Sequence, residues 1–104
     1  MLDFRHFALG LFAALLTSSA AFASAELAKS KNCVACHSVE RKMIGPSYTA
    51  MAERYGKDES AIKVLSEKIV KGGSGSWGQM PMPPQAGVAP EEAEVLVKWI
   101  LSHQ

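Results

Sequence analysis

The sequence predicts an all-α fold in which short helices are joined by loops. Apolar residues recur at helical spacing in several stretches, and glycines and prolines separate these stretches from one another. No segment shows the sustained alternation of polar and apolar residues that is typical of a half-buried strand. The length of 104 residues is enough for one domain.

The first quarter of the chain has the order of a secretory signal peptide. A short charged head precedes an uninterrupted apolar stretch over residues 7–16, and small residues follow. Cleavage after Ala23 or after Ala25 satisfies the small-x-small rule, so we expect a signal peptide over 1–25 and a folded domain over 26–104. The apolar stretch is shorter than the roughly 20 residues of a membrane span and would act as an anchor only if cleavage failed.

The mature chain of 79 or 81 residues is small for a self-sufficient hydrophobic core. Domains of this size often need a disulfide, a metal or another cofactor to complete the core. Cleavage removes one basic and one acidic residue, so the net charge stays at +1. Because there is no basic run and no groove-reading motif, the composition predicts no nucleic-acid partner.

Four helices are expected along the chain. Ser47 is a favourable cap for the second helix and Asp58 for the third, and Pro90 is a favourable first-turn residue for the last. A pair of glycines ends the third helix. The predicted bounds are 24–37, 47–55, 58–71 and from 90 onward.

A long loop rich in Gly, Pro and Ser is predicted over residues 72–89. It carries Trp77, Met80 and Met82 between its glycines and prolines. Loops of this length without regular structure are usually functional or disordered. Because a disordered linker rarely contains a tryptophan and two methionines, we interpret this one as an ordered loop of a functional site.

Cys33, Cys36 and His37 belong to the pentapeptide Cys-Val-Ala-Cys-His, the pattern of covalent haem attachment. Thiols three residues apart on a helical turn share one face and can both reach the vinyl groups along one porphyrin edge. The histidine is then held where a ring nitrogen can ligate iron. A thioredoxin-like pair would require a βαβ context, and a zinc site would require four ligands, for which the mature chain adds only His103. A plain disulfide fits the export signal but leaves His37 unexplained.

A second protein ligand on iron favours electron transfer over substrate binding, and the soft thioether of methionine suits this role. Met51 is expected in a helix as a packing residue. Met43 follows His37 closely and is expected on the same side of a haem or at its edge. The prolines on both sides of Met82 fix the backbone and favour it over Met80, which stays an alternative.

The mature chain resembles the class I c-type cytochromes, and within them the short bacterial subfamily that donates electrons to periplasmic nitrite reductase and terminal oxidases. The resemblance extends over essentially the whole mature chain. It implies a small cytochrome c fold of about four short helices around one haem c, attached through Cys33 and Cys36. The segments that carry it are Cys33-Val34-Ala35-Cys36-His37, Lys42-Met43-Ile44-Gly45-Pro46, Trp77-Gly78, Pro81-Met82-Pro83-Pro84 and Lys98-Trp99-Ile100-Leu101-Ser102.

The resemblance also implies a role for each residue of the site. His37 would be the proximal iron ligand and Met82 the distal one. Pro46 would accept a hydrogen bond from the other ring nitrogen of His37. Trp77 would direct its indole N–H towards a haem propionate, with core packing as the alternative. Gln85 stands where this subfamily often has asparagine, so a hydrogen bond from that side chain to the ligand sulfur is not expected.

An electron carrier of the periplasm, rather than an enzyme, is the function that the resemblance implies. The carrier would be a soluble monomer without stable membrane insertion after cleavage, and its transfer would be outer-sphere. Nitrite reductase, a terminal oxidase or a quinol-oxidising complex would be transient partners. The alternatives are a haem enzyme or gas sensor with an open iron site, and a haem-free thiol–disulfide or metal-binding module. An apolar contact patch is expected at the exposed haem edge, formed by Val34, Ala35, Ile44 and Pro83. Lysines are expected at its rim, namely Lys29, Lys31 and Lys42. The alternative for these lysines is that they are only solvated surface residues.

Overall fold

The computed structural model describes residues 20–104, so positions 1–19 of the predicted signal peptide lie outside the described residues. Helix α1 runs through residues 20–30 and contains Ala23 and Ala25, the two predicted cleavage positions. Within residues 20–104, no helix combines the length and the apolar character needed to cross a membrane.

Three further helices follow α1 along the chain. They are α2 (Tyr48–Tyr55), α3 (Ala61–Lys71) and α4 (Pro90–Leu101), and a 3-10 turn over Cys33–Ala35 lies between α1 and α2. In the described part of the chain, these elements confirm the predicted all-α fold with four short helices.

The start signals of α2 and α4 lie where the sequence places them. The hydroxyl of Ser47 accepts a hydrogen bond from the backbone N–H of the third residue of α2 at 3.1 Å, and Pro90 is the first residue of α4. The expectation that Asp58 caps α3 is wrong. Helix α3 begins at Ala61, and the Asp58 carboxylate accepts a hydrogen bond from the backbone N–H of Ser60 at 3.0 Å. Asp58 therefore closes the turn that precedes the helix.

The first helix ends earlier than predicted, because the chain leaves the helical path before the cysteines. Asn32 has a φ of 63°, in the left-handed region that asparagine tolerates better than most residues. The 3-10 turn begins directly after it. The predicted continuous helix over 24–37 is therefore wrong. Cys36 directly follows this turn, and its backbone N–H donates to the carbonyl of Cys33 at 3.2 Å, so the two cysteines remain one turn apart.

A short antiparallel hairpin occupies part of the region that the sequence analysis treated as a loop without strands. Strand β1 (Gly73–Gly75) pairs with β2 (Gly78–Met82). All residues of the two strands except Met82 are exposed, so neither strand has a buried face and no alternation could reveal it. Gly75 and Gly78 have φ values of 91° and 105°, which permit the tight connection between the strands.

Helix α4 forms the centre of the core and packs against both α2 and α3. Leu96 is fully buried, and Ala93 and Val97 share its apolar face. Ala28 belongs to the same buried cluster and Leu27 packs against it, so α1 contacts this core through two neighbouring aliphatic side chains. The packed helices therefore support the loops on either side of the cysteines.

Lys31 fastens the end of α1 to the opposite side of the molecule. Its Nζ donates a hydrogen bond to the carbonyl of Gly87 at 2.8 Å and lies 3.3 Å from the carboxylate of Glu92. The same carboxylate accepts a hydrogen bond from the backbone N–H of Ala89 at 3.0 Å. We call this arrangement the Lys31 latch. It joins the residue two positions before Cys33 to the segment that follows the proline-rich loop.

Candidate functional site

The cysteines of the pentapeptide are free and half-buried. Cys33 packs against the core cluster. Burial raises the pKa of the Cys33 thiol, a backbone hydrogen bond offsets part of this effect, and the neighbouring Cys36 raises the pKa further. A reactive thiol–disulfide pair needs a thiol with a lowered pKa. The surroundings of Cys33 therefore argue against the thiol–disulfide module.

His37 lies directly after the 3-10 turn, and its backbone N–H donates to the carbonyl of Cys33 at 3.0 Å. Its Nδ1 is 2.7 Å from the carbonyl oxygen of Pro46, which can only accept a hydrogen bond. Nδ1 therefore carries the proton, and the neutral ring keeps the lone pair of Nε2 for another partner. This is the tautomer that a metal-binding histidine uses when its second nitrogen is held by a carbonyl.

Gly45 forms the floor beneath the His37 ring. Its N–H donates to the carbonyl of Cys36 at 2.8 Å, which draws residues 45 and 46 towards the motif. A Cβ atom at this position would lie 2.8 Å from Nδ1 of His37 and even closer to Cε1. The imidazole can approach the backbone this closely only because residue 45 has no side chain.

An aromatic cluster stands on another side of His37. The Tyr48 ring stacks on the imidazole with centroids 6.0 Å apart and planes inclined by 25°. Trp99 meets Tyr48 edge-on at 5.3 Å, and His103 lies 5.5 Å from Tyr48. Tyr48 is 2% exposed, and burial, with a smaller contribution from Cys33, raises its pKa to about 12. Its hydroxyl has no hydrogen-bond partner among the described residues.

Met82 is the last residue of β2, and it is half-buried and packs against the core cluster. The proline-rich loop after Met82 packs closely against the end of α3. A Cβ atom at Gly72 would lie 2.8 Å from the Met82 carbonyl oxygen and 2.9 Å from Cδ of Pro84. The backbone N–H of Gln85 donates to the carbonyl of Ile69 at 3.0 Å. These contacts hold the proline-rich loop firmly in place around the thioether.

The other methionines occupy different surroundings. Met80 is 66% exposed and Met43 is 46% exposed, whereas Met51 packs against the core from α2. Gln85 directs its side-chain amide to the carbonyl of Pro83 at 2.9 Å. Met82 is thus the methionine that combines partial burial with a position outside the helices, directly before the remaining prolines of the loop.

Trp77 lies at the turn of the hairpin and is 39% exposed. The guanidinium of Arg54 stands 4.6 Å above its ring and donates to the carbonyl of Ser76 at 2.6 Å. Tyr55 meets the indole edge-on at 6.2 Å. Arg54 could not be identified from the sequence, because a basic residue near the end of a helix usually only interacts favourably with the helix dipole.

The donor set fits a haem c. Two thiols lie one turn apart, the neighbouring imidazole has a free Nε2, and a thioether sits in an anchored loop. In residues 20–104, no three side chains of His, Cys, Asp or Glu are grouped as a metal site would require. The soft and imidazole donors of this chain match a haem iron with attachment points on the ring.

The chain matches the family model described as Cytochrome c over residues 23–104. It is 47% identical to cytochrome c-552 of Nitrosomonas europaea over 96 residues, which cover 90% of this chain and 93% of that protein. It is 49% identical to cytochrome c-552 of Hydrogenobacter thermophilus over 81 residues, which cover 78% of this chain and 82% of that one. The wild-type crystal structure of the Nitrosomonas protein superposes with a TM-score of 0.74 at 45% identity, covering 77% of this chain and 99% of that structure.

Proposed function

The chain belongs to the cytochrome c family, and from this premise we propose that His37 and Met82 are the axial ligands of its haem in a periplasmic electron carrier. As a family member, the protein is a small bacterial electron carrier with a covalently attached haem c, and it is not an enzyme. The bound haem supplies the one-electron ferric–ferrous couple. Cys33 and Cys36 supply the two thioether sulfurs.

The Pro46–His37 hydrogen bond is the observation that supports this assignment most. The carbonyl of Pro46 fixes the tautomer in which Nε2 is the donor atom. The backbone of Gly45 limits the positions that the ring can take. Together, these two residues prepare His37 to hold iron in one orientation in both oxidation states.

Met82 supplies a soft thioether from a loop that the end of α3 and flanking prolines immobilise. A fixed sulfur keeps substrates away from the iron, and it favours the ferrous state, which raises the reduction potential. Because both ligands stay in place, little reorganisation accompanies the transfer of an electron. With the haem held by these residues, outer-sphere transfer would require no proton movement.

Trp77 is proposed to direct its indole N–H towards a haem propionate. Arg54 covers the indole face and adds a positive charge beside it, which suits a carboxylate partner. Since Trp77 is partly exposed at a turn, its surroundings favour this role over simple core packing.

The docking patch for redox partners is proposed around the cysteines. Val34 and Ile44 are 49% and 59% exposed, and Ala35 and Pro83 are exposed as well. Transient redox encounters use small interfaces of this kind. Lys31 is not available as a free rim charge, because the Lys31 latch engages it. The rim is therefore assigned to Lys29 and Lys42, which are exposed.

Nitrite reductase, a terminal oxidase or a quinol-oxidising complex are the proposed partners in the periplasm. The signal-peptide pattern of residues 1–25 supports export, with cleavage after Ala23 or Ala25. Mass spectrometry of the native protein tests both points at once. We expect a mature N-terminus at residue 24 or 26 and a mass increment of one haem. An intact leader on the isolated protein would contradict the proposed cleavage and would leave the apolar stretch as a membrane anchor.

Methionine substitutions test the distal ligand. Met82→Ala is expected to abolish the weak far-red absorption band of sulfur-ligated ferric haem, to lower the potential and to permit carbon monoxide binding in the ferrous state. Met80→Ala is the matched control, because it removes an exposed thioether two residues away. If Met80→Ala loses the band while Met82→Ala retains it, the ligand assignment is wrong.

A further inference from the structure

Two kinds of contact hold the His37 ring: a hydrogen bond and close packing against the backbone. Pro46 holds one atom, Nδ1, through a single hydrogen bond. Gly45 limits the approach from below. Together with the covalent bond to Cβ, the hydrogen bond at Nδ1 sets the plane of the ring, but a single hydrogen bond restrains rotation about the Cβ–Cγ bond only within its own range of distance and angle. A flat neighbour narrows that rotation further, and Tyr48 is the residue whose ring lies nearly parallel to the imidazole.

Tyr48 is well suited to this task because it is itself immobilised. It is the first residue of α2 and is 2% exposed. Trp99 packs edge-on against it, at an angle of 66° between ring planes. His103 lies against both rings, 5.5 Å from Tyr48 and 4.6 Å from Trp99.

His103 is in turn tied to the end of α4. Its Nδ1 donates to the carbonyl oxygens of Trp99 at 2.9 Å and of Ile100 at 3.0 Å. A continuous series of ring contacts therefore runs from the C-terminal residues, through Tyr48, to the imidazole beside the cysteines. Since Tyr48 and the apolar face of α4 belong to the same buried cluster, the position of Tyr48 is fixed by packing in the core.

We propose that Tyr48 is a positioning residue for His37, and that Trp99 and His103 hold its ring flat against the imidazole. The inference depends on His37 being the iron ligand, as proposed above. Its consequence is a fixed orientation of the imidazole plane relative to the haem. That orientation governs the pattern of hyperfine-shifted haem-methyl resonances in the ferric state, and it also affects the reduction potential.

Two substitutions at Tyr48 separate the ring from the hydroxyl. Tyr48→Phe keeps the stacked ring and removes a hydroxyl that has no hydrogen-bond partner in the described chain. We expect it to preserve the order of the haem-methyl resonances and the reduction potential. Tyr48→Leu removes the flat surface and is expected to change both. Tyr55→Leu is a second control, because the Tyr55 ring contacts Trp77 and not His37.

His103→Leu tests the same chain of contacts from its outer end and leaves the central helix intact. It is expected to raise the flip rate of the Tyr48 ring and to shift the haem-methyl pattern in the direction of Tyr48→Leu. If Tyr48→Leu yields no folded holoprotein, the His103→Leu variant alone tests the positioning role of Tyr48. A wild-type pattern and flip rate in folded His103→Leu would overturn the proposal, as would equal changes in Tyr48→Phe and Tyr48→Leu.

The proposed ligands are tested separately in these samples. A wild-type protein without the spectrum of a low-spin haem with histidine and sulfur ligands would remove the ligand assignment itself. A normal wild-type spectrum, with unchanged resonance patterns in the folded Tyr48→Leu and His103→Leu variants, would remove only the positioning role of Tyr48.

Discussion

Gly45→Ala places a methyl group against the ring that we assign as the proximal ligand. The new Cβ would lie 2.8 Å from Nδ1 and 3.1 Å from Nε2 of His37, whereas ordinary contacts begin at 3.4 Å. The ring or the backbone must therefore move by about 0.6 Å or more. Such a movement strains the 2.7 Å hydrogen bond to Pro46. Overpacking costs about 1–3 kcal/mol, and loss of the hydrogen bond adds about 1 kcal/mol.

Denaturant unfolding of the holoprotein measures this effect. The free energy of unfolding should fall by about 2–4 kcal/mol, or Tm by roughly 10–30 °C for a domain of this size. The far-red absorption of the ferric protein should change as well, because the ring is displaced. Gly87→Ala is the control: nothing lies within 4 Å of its Cβ position, so a change below about 0.5 kcal/mol is expected. Equal stabilities and spectra for the two variants would refute the close packing of Gly45 beneath His37.

Three further predictions concern the support of the site. Lys31→Ala removes the Lys31 latch and should lower the free energy of unfolding by about 1–2 kcal/mol. Lys98→Ala is the control, because it breaks an exposed ion pair on α4 and should lower the free energy of unfolding by less than about 0.5 kcal/mol. Equal losses for the two variants in urea titrations would contradict a special role for the latch. Leu96→Ala should lower the free energy of unfolding by about 3–5 kcal/mol in the same assay. Val95→Ala should lower it only slightly, because Val95 is half-exposed. A small loss for Leu96→Ala would mean that the core lies elsewhere. Because the folded state raises the pKa of Tyr48 from 10.0 to about 12, the stability that this residue contributes is present below pH 10 and is lost as the pH rises through about 12. Each pKa unit corresponds to about 1.4 kcal/mol, so Tyr48→Phe should retain up to about 3 kcal/mol more of its free energy of unfolding than the wild type over that pH range. If the stability of both proteins falls in parallel as the pH rises, the burial argument is contradicted.

Local signals in the sequence were sufficient for much of the fold. Ser47 and Pro90 begin their helices as predicted, and Gly72 follows the last residue of α3. These residues act through their own backbone preferences or through hydrogen bonds within one turn, which depend little on the rest of the chain. The helical periodicity correctly predicted burial of Ile69 in α3 and of Leu96 and Ile100 in α4. Val64 and Val95, which the same periodicity placed on the apolar faces, are about half exposed.

Features that depend on distant neighbours could not be predicted. The exposed hairpin has no hydrophobic pattern, and its pairing is set by glycine conformations and by its attachment to α3. The Lys31 latch joins atoms 56 positions apart in the sequence. Arg54 meets Trp77 only because α2 ends beside the hairpin. Contacts of this kind require the folded arrangement of the helices.

The candidate site combines both situations. The pentapeptide identified haem attachment, because its spacing is specific to that chemistry, and the prolines around Met82 favoured its thioether over that of Met80 as an iron ligand. The sequence analysis did not identify Tyr48, Trp99 and His103 as neighbours of His37. Their roles depend on ring contacts between α2 and the end of α4, and isolated aromatic residues at helical spacing usually indicate no more than a core.

Carbon monoxide titration of the wild-type ferrous protein, followed by its absorption spectrum, tests the central assignment most directly. Because His37 and Met82 are proposed to occupy both axial positions, the spectrum should remain that of a six-coordinate low-spin haem, unchanged after the gas is added. Rapid formation of a carbon monoxide complex in the native protein at neutral pH would contradict the account, because it would mean that the thioether does not hold the distal position.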